Sequence, residues 1–345
     1  MASTITAAGT LTCGDLLAIQ LMADNVWADN ASAKFYKANT GAIDAIRENQ
    51  TVSFPQLQTD KWNQIKLIWL EMCGTDTTAC TDLCATGTLD EIQSGCETHE
   101  LACLAEAGFT INQFAFDYTS YDFQMAVAKG FLAKTKLLDE KIAQLAVAAL
   151  SSFAGVNQYT TGLAEGTGNA FIPPAYWGSD LMAEFAMIAI INKFNNPYLV
   201  SGSNLYKSNW NAMMNAGNAE GAGAAKKMDF FPAYFDLFNV DSVNTPDKVT
   251  YLVDPNALAF VNKARYPDAS NPIIYTNGAN KTLYSIPSKN LAGINYDVIY
   301  STVCTDDEIV HNFKIKATGA FLQNPVGCND EITGVLEFKC GNPVS

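Results

Sequence analysis

From Tyr121 to Phe153 the apolar residues Phe123, Val127, Phe131, Leu138, Ile142, Leu145 and Phe153 recur near helical spacing. Lys129, Lys134, Lys136, Asp139 and Lys141 fill much of the other face. Thr119 and Asp122 stand at capping-box spacing at the start, and Gly155 suits a left-handed stop at the end. The pattern predicts one continuous helix over 121–153, roughly 50 Å long at 1.5 Å per residue. That is longer than a compact domain of this chain needs, and the C-terminal strands are the surface expected to cover its apolar side.

The flanking sequence changes character several times. Asp15 to Ala28 has a mixed helical pattern with Leu16, Leu17, Ile19, Leu21, Met22, Val26 and Trp27, and a second short helix is expected over Ala42 to Glu48. Around Ile65, Leu67 and Trp69 the chain turns strand-like, as it does over Thr110 to Phe116. The Gly-, Thr-, Asp- and Cys-rich residues 74–96 between them read as loop. Residues 156–176 form a Gly-rich linker ending in Pro173-Pro174, and a helix follows from Ser179 to Phe194, stopped by Asn195-Asn196-Pro197. Strands are expected over 198–201 and 249–253, a short helix over Asn256 to Lys263, and antiparallel strands over 294–303, 311–321 and 334–339.

Composition removes several function classes. The 345 residues carry 35 acidic and 21 basic side chains, a formal charge of −14, which leaves no basic stripe for nucleic-acid phosphates. Charged residues are only 16% against 48% hydrophobic, which excludes a disordered chain. With so few charges, much of the surface is expected to be neutral or covered by partners. The apolar runs Ala183–Ile191 and Leu145–Leu150 are too short to cross a membrane. No secretory signal is read near the start, where the first lysine is Lys34.

Residues suited to catalysis are scarce. The two histidines, His99 and His311, lie far apart, and any Ser-His-Asp or Cys-His arrangement would have to use one of them. Gly166-Thr167-Gly168 lacks the following helix of a nucleotide site, and Asp306-Asp307-Glu308 reads as a solvated turn. Of nine cysteines, five fall within residues 73–103 at the spacing C-x6-C-x3-C-x11-C-x6-C. Cys80, Cys84 and Cys96 with His99 or Cys103 could gather four metal ligands, although the short Cys-x-x-Cys knuckle of a zinc site is absent. Disulfides and free buried thiols stay open as alternatives. The odd count means that at least one thiol is free or pairs between chains. No cofactor is expected.

The order of these elements is itself informative: an arm, an extended strand-bearing loop, one very long helix, a self-contained middle segment, and strands that return at the end. Local strings go with it, namely Pro197-Tyr198-Leu199-Val200-Ser201-Gly202-Ser203-Asn204, the aromatic segment Phe230 to Asp241, Tyr251-Leu252-Val253-Asp254-Pro255-Asn256, Phe321 to Cys328, and Thr333 to Phe338. Together they resemble the major capsid proteins of tailed bacteriophages, the Johnson fold, loosely the branch from phages of Bacteroidetes hosts. The cysteine-rich stretch 73–103 departs from that pattern.

The resemblance implies an α+β fold with residues 1–50 as N-terminal arm and 51–118 as extended loop and first peripheral strands. Residues 119–176 would carry the peripheral domain with its long spine helix, 177–292 the axial domain, and 293–345 the returning peripheral strands. It implies a non-enzymatic virion subunit, assembled in the host cytoplasm, whose partners are copies of itself in hexamers and pentamers, with portal, scaffold and decoration proteins beside them. The shell would enclose DNA without binding it specifically, and a negative lining suits that. Leu16, Trp27, Trp62 and Trp69 are the expected subunit contacts, because a lone hairpin or arm cannot cover its own apolar side. A disulfide-linked surface adhesin or surface-layer subunit and a carboxylate-based glycoside hydrolase are the competing readings.

Overall fold

The computed structural model describes residues 11–50, 63–72, 92–114, 122–155, 170–173, 177, 179–192, 194–206, 231–243, 248–255, 257–275, 281–305, 308–323 and 334–340. In chain order the helices are α1 (Cys13–Ala28), α2 (Asn30–Ala33), α3 (Gly41–Asn49), α4 (Phe123–Phe153), α5 (Ser179–Ile191) and α6 (Asn239–Val243). The strands are β1 (Gln64–Met72), β2 (Ile92–Glu100), β3 (Ala102–Asn112), β4 (Ala170–Ile172), β5 (Tyr198–Ser201), β6 (Ala233–Phe235) and β7 (Lys248–Val253). They continue with β8 (Leu258–Asn262), β9 (Ile273–Tyr275), β10 (Lys281–Pro287), β11 (Asn295–Thr305), β12 (Glu308–Gln323) and β13 (Val335–Cys340). The chain divides into two compact units, one built from residues 1–40, 101–145 and 261–320, the other from 41–100, 146–260 and 321–345.

The expected long helix is present and unbroken as the 31 residues of α4. Its cap is Asp122, whose Oδ1 accepts the Gln124 N–H at 3.0 Å, while Thr119 of the expected capping box lies outside the described residues. In the first unit, α4 lies on an antiparallel sheet of order β3-β12-β11-β10-β9. Phe131 of the helix meets Phe109 of β3 edge-on at 5.2 Å and Phe313 of β12 at 5.1 Å, and the two strand rings stack at 4.8 Å. Gly130 makes this approach feasible, since a Cβ there would stand 2.7 Å from the Phe109 ring. Phe123, Val127, Leu138 and Ile142 are buried as the pattern requires, and Leu145 is half-buried.

Asp139 departs from the pattern. The sequence pattern places it on the polar face, yet it is fully buried. Ser288 Oγ and Asn290 Nδ2 each donate to it at 2.8 Å, and the Tyr296 hydroxyl donates as well. A buried carboxylate is tolerable only with such partners, and they come from residues far away in sequence.

In the second unit a five-stranded sheet runs β4-β13-β7-β5-β6, antiparallel at β13–β7 and β7–β5 and parallel at its two ends. Leu181, Phe185 and Ile188 of α5 pack on Leu199, Leu252, Leu336 and Phe338. The strands β5 and β7 are buried on both faces, which is why they read as continuous apolar runs. Helix α3 buries Ile43 and Ile46, and its Ala42 N–H donates to Asp236 Oδ2 at 3.2 Å. At Gly41 a Cβ would stand 2.7 Å from the Phe235 carbonyl oxygen.

Three expectations need correction. The helix expected over Asn256 to Lys263 is the strand β8, because Leu258 to Val261 are buried on both sides and a short apolar run fits either element by period alone. The expected loop over 74–96 is already strand from Ile92, where β2 pairs with β1 in register Ile65↔His99 through Met72↔Ile92. The last strand, β13, pairs with β7 and β4, not with β11 and β12.

Leu138 is 2% exposed. Leu138→Ala should lower unfolding stability by about 2–5 kcal/mol through the cavity it leaves, as read from denaturant melts followed by circular dichroism.

Candidate functional site

Only some of the thiols and aromatic residues singled out in the sequence fall among the described residues. Cys80, Cys84 and Trp62 lie outside the described residues. Cys96 and Trp69 belong by their backbones to the β1–β2 hairpin, where Cys96 faces Ile68 across the ladder and Trp69 faces Gly95. His99 is half-buried on β2, with Nε2 3.5 Å from Glu97 Oε2. Among the described residues no group of three or more potential ligands is gathered for a metal ion. Cys13, Cys103 and Cys340 are free thiols, and Cys13 Sγ donates to the Ser270 carbonyl at 3.1 Å.

The arm is where the structure changes the expectation most. Helix α1 starts with a capping box in which Thr12 Oγ1 accepts the Asp15 N–H and Asp15 Oδ2 accepts the Thr12 N–H. Leu16, Ile19, Ala23 and Val26 are buried, a stripe at i, i+3, i+7 and i+10. With Phe131 and Leu132 of α4 and Tyr284 and Ile286 of β10, Leu16, Ile19 and Ala23 line an apolar cavity of about 40 Å³. Leu16 is 2% exposed within its own chain, so its assignment as a subunit contact is corrected: the chain's own helix and sheet cover it. Trp27 is half-buried.

Polar groups fasten both ends of this segment. Near its end, Asn290 Oδ1 accepts the Ala38 N–H at 3.0 Å, while Asn290 Nδ2 donates to the Tyr36 carbonyl at 3.1 Å and to buried Asp139. Lys289 pairs with Asp24. At its start, the Leu11 N–H donates to the Tyr300 hydroxyl at 3.1 Å. Tyr300 OH lies 2.9 Å from Nδ1 of His311, whose Nε2 lies 3.1 Å from Gln113 Oε1. His311, expected at a strand start, is instead fully buried within β12. Sequence reasoning missed both polar centres, because a lone Asp on a helix and a lone His on a strand carry no local signal of their distant partners.

Large apolar side chains left uncovered by the chain itself mark the candidate contact surface. On the arm, Leu21 is 62% exposed, with Leu17 one turn before it, and Phe35 stands out with the Lys34 ammonium 5.0 Å over its ring. The three residues of edge strand β9, Ile273 to Tyr275, are all exposed. In the second unit Ile190 is 77% exposed and Met187, about one turn before it on the mostly apolar helix α5, is exposed as well. A helix of that composition is normally buried all round. The exposed residues of α5 belong to the apolar run seen in the sequence over 183–191.

No protein-family model matches the chain, and no curated protein matches it. Among solved structures, the cyanophage A-1(L) capsid asymmetric unit is similar with a TM-score of 0.52 at 11% identity, over 88% of this chain and 93% of that one. A Mycobacterium phage Adephagia structure gives 0.48 at 11% identity, over 90% and 92%. The capsid structure of the cyanophage P-SCSP1u gives 0.45 at 11% identity, over 85% and 89%. The chain therefore has the α+β fold found in the cyanophage A-1(L) capsid, in agreement with the Johnson-type architecture that its order of elements resembles.

The two sides of α1 should respond differently to mutation. Leu16→Ala should destabilise the subunit by about 2–5 kcal/mol, whereas Leu21→Ala should change it by less than about 0.5 kcal/mol. Thermal melts of the two variants measure the contrast.

Proposed function

We propose that this chain is a major capsid protein, copies of which assemble as hexamers and pentamers into the icosahedral head of a tailed phage around double-stranded DNA. The observation that carries the reading is the fold shared with the cyanophage A-1(L) capsid over nearly the full length of both chains. Three features support it. The helix α5 and the outer face of α1 keep large apolar residues exposed in a single subunit, and identical neighbours are the simplest cover. The β1–β2 hairpin is a two-stranded sheet, which is marginal in water without a surface to lie on. The charge of −14 lets a shell enclose DNA without holding it.

The subunit's role in this reading is structural. The fully buried Asp139 and His311 are committed to hydrogen bonds that fasten the arm. Trp27, Trp62 and Trp69 are kept as proposed contacts between copies. A portal and a separate scaffold protein are the further partners this role calls for, with decoration proteins on the finished shell.

Electron microscopy of the purified protein tests the reading: it should show closed or tubular assemblies built from sixfold and fivefold capsomers. A subunit that stays monomeric at all concentrations would overturn it. Replacing Met187 and Ile190 together by lysine should leave the circular dichroism spectrum unchanged and cut particle yield at least about tenfold, since surface changes rarely disturb the fold. The isolated subunit should bind duplex DNA more weakly than about 1 µM at physiological salt, measured by fluorescence anisotropy.

A further inference from the structure

The hydrogen bonds around His311 have a direction that can be worked out from one end. The Leu11 backbone N–H can only donate, and it donates to the Tyr300 hydroxyl oxygen at 3.1 Å. The hydroxyl hydrogen then needs an acceptor of its own. Nδ1 of His311, 2.9 Å away, is placed to accept it. That assigns the imidazole the neutral form with its hydrogen on Nε2, which donates to Gln113 Oε1 at 3.1 Å. Gln113 is held in place by its own N–H, which donates to the Ile309 carbonyl at 2.9 Å. The chain of bonds therefore runs Leu11 to Tyr300 to His311 to Gln113, and each donor has one acceptor.

A proton added at Nδ1 breaks this order. Nδ1 becomes a donor aimed at a hydroxyl oxygen that already receives the Leu11 N–H, and the hydroxyl hydrogen loses its acceptor. Tyr300 and His311 are both fully buried, so water is not at hand to accept it. An unsatisfied buried donor and a buried charge are both costly. The simplest relief is for the start of the arm, which contributes only one bond to the chain, to leave.

We propose that His311 is an acid-sensitive latch: in its neutral form it holds the start of the arm at Leu11 through Tyr300, and its protonation releases that segment. This is a property of one subunit and does not rest on the capsid reading.

The groups around the latch are Asp15 from α1, Phe123 and the Asp122 cap from α4, Tyr284 from β10, Tyr300 from β11 and Gln113 after β3. Asp15 and Asp122 are the anions. Asp15 has three donors of its own, the Thr12 N–H and Oγ1 and Gln124 Nε2, and Asp122 accepts from the Gln124 N–H. Burial holds Tyr300 and Tyr284 protonated, well above the ordinary phenol range. Burial pushes His311 below its ordinary 6.5. The sign follows from proton binding. Once the pH falls below 6.5, a released histidine takes up a proton that the docked one resists, so docking weakens as the pH drops.

Amide hydrogen exchange of the full chain at pH 7.5 and pH 5.0, corrected for the intrinsic pH dependence of exchange, tests the latch. Protection of residues 11–20 should fall about tenfold or more at the lower pH, while β5 and β7 keep theirs. His311→Asn retains an acceptor for the Tyr300 hydroxyl and cannot titrate, so its arm should exchange alike at both values. Tyr300→Phe, which tolerates the site as a ring of similar shape, should leave residues 11–20 weakly protected at both. Equal protection of the wild-type arm at the two pH values would overturn the proposal. So would an acid-induced loss that persists in His311→Asn or Tyr300→Phe, or one that strikes β5 and β7 equally.

Discussion

A helix of 31 residues buries its apolar stripe only if something as long lies beneath it, and in this protein the contact of Phe131 with Phe109 and Phe313 sets that arrangement. The three rings come from the helix, from β3 just before it in sequence, and from β12 far beyond it. Their packing brings together strands that no local signal would pair. Gly130 matters because it lets the helix backbone close on the Phe109 ring, and a methyl group there would force the two apart. Once α4 lies on the sheet, Asp139 is carried into the interior, and the segment Ser288–Asn290 together with Tyr296 must meet it.

The arm depends on the same packing. Its apolar stripe alone would permit α1 to slide along α4, since dispersion and burial are not directional. The polar contacts at its two ends remove that freedom. Asn290 reads two backbone groups of the arm, the Tyr36 carbonyl and the Ala38 N–H, while bound to Asp139. Tyr300 reads a third, the Leu11 N–H. Backbone recognition of this kind specifies position without demanding particular side chains in the arm. The two side chains that organise it, Asp139 and His311, are both fully buried ionisable groups.

Much of the architecture was legible because period and composition report on local structure. The long helix and the strands β5, β7, β11 and β12 follow from spacing that each segment displays by itself, while the α+β class comes with the resemblance in the order of elements. The failures have a common physical origin. At Leu258–Asn262 a fully buried run loses the contrast between its faces, and with it the period that separates strand from helix. At Asp139 the polar residue breaks the stripe only in one dimension, because its partners arrive through the tertiary fold. Leu16, expected as a contact between copies, is covered by the cavity walls of α4 and β10, partners that are likewise supplied by distant sequence.

What the subunit leaves uncovered then takes on a different meaning. With the stripe of α1 already buried, exposed apolar residues cannot be explained by an arm awaiting a place to dock. Leu17, Leu21 and Phe35 on the arm, Ile273–Tyr275 on the edge strand, and Met187 and Ile190 on α5 stay exposed after each unit has formed its own core. An edge strand with three exposed large side chains invites pairing or aggregation unless something covers it. A chain with only 16% charged residues has little else with which to keep such surfaces soluble. Ordered association of identical copies would remove the exposed apolar area and the open strand edge at once, which is how the composition of the sequence fits the shell proposed for it.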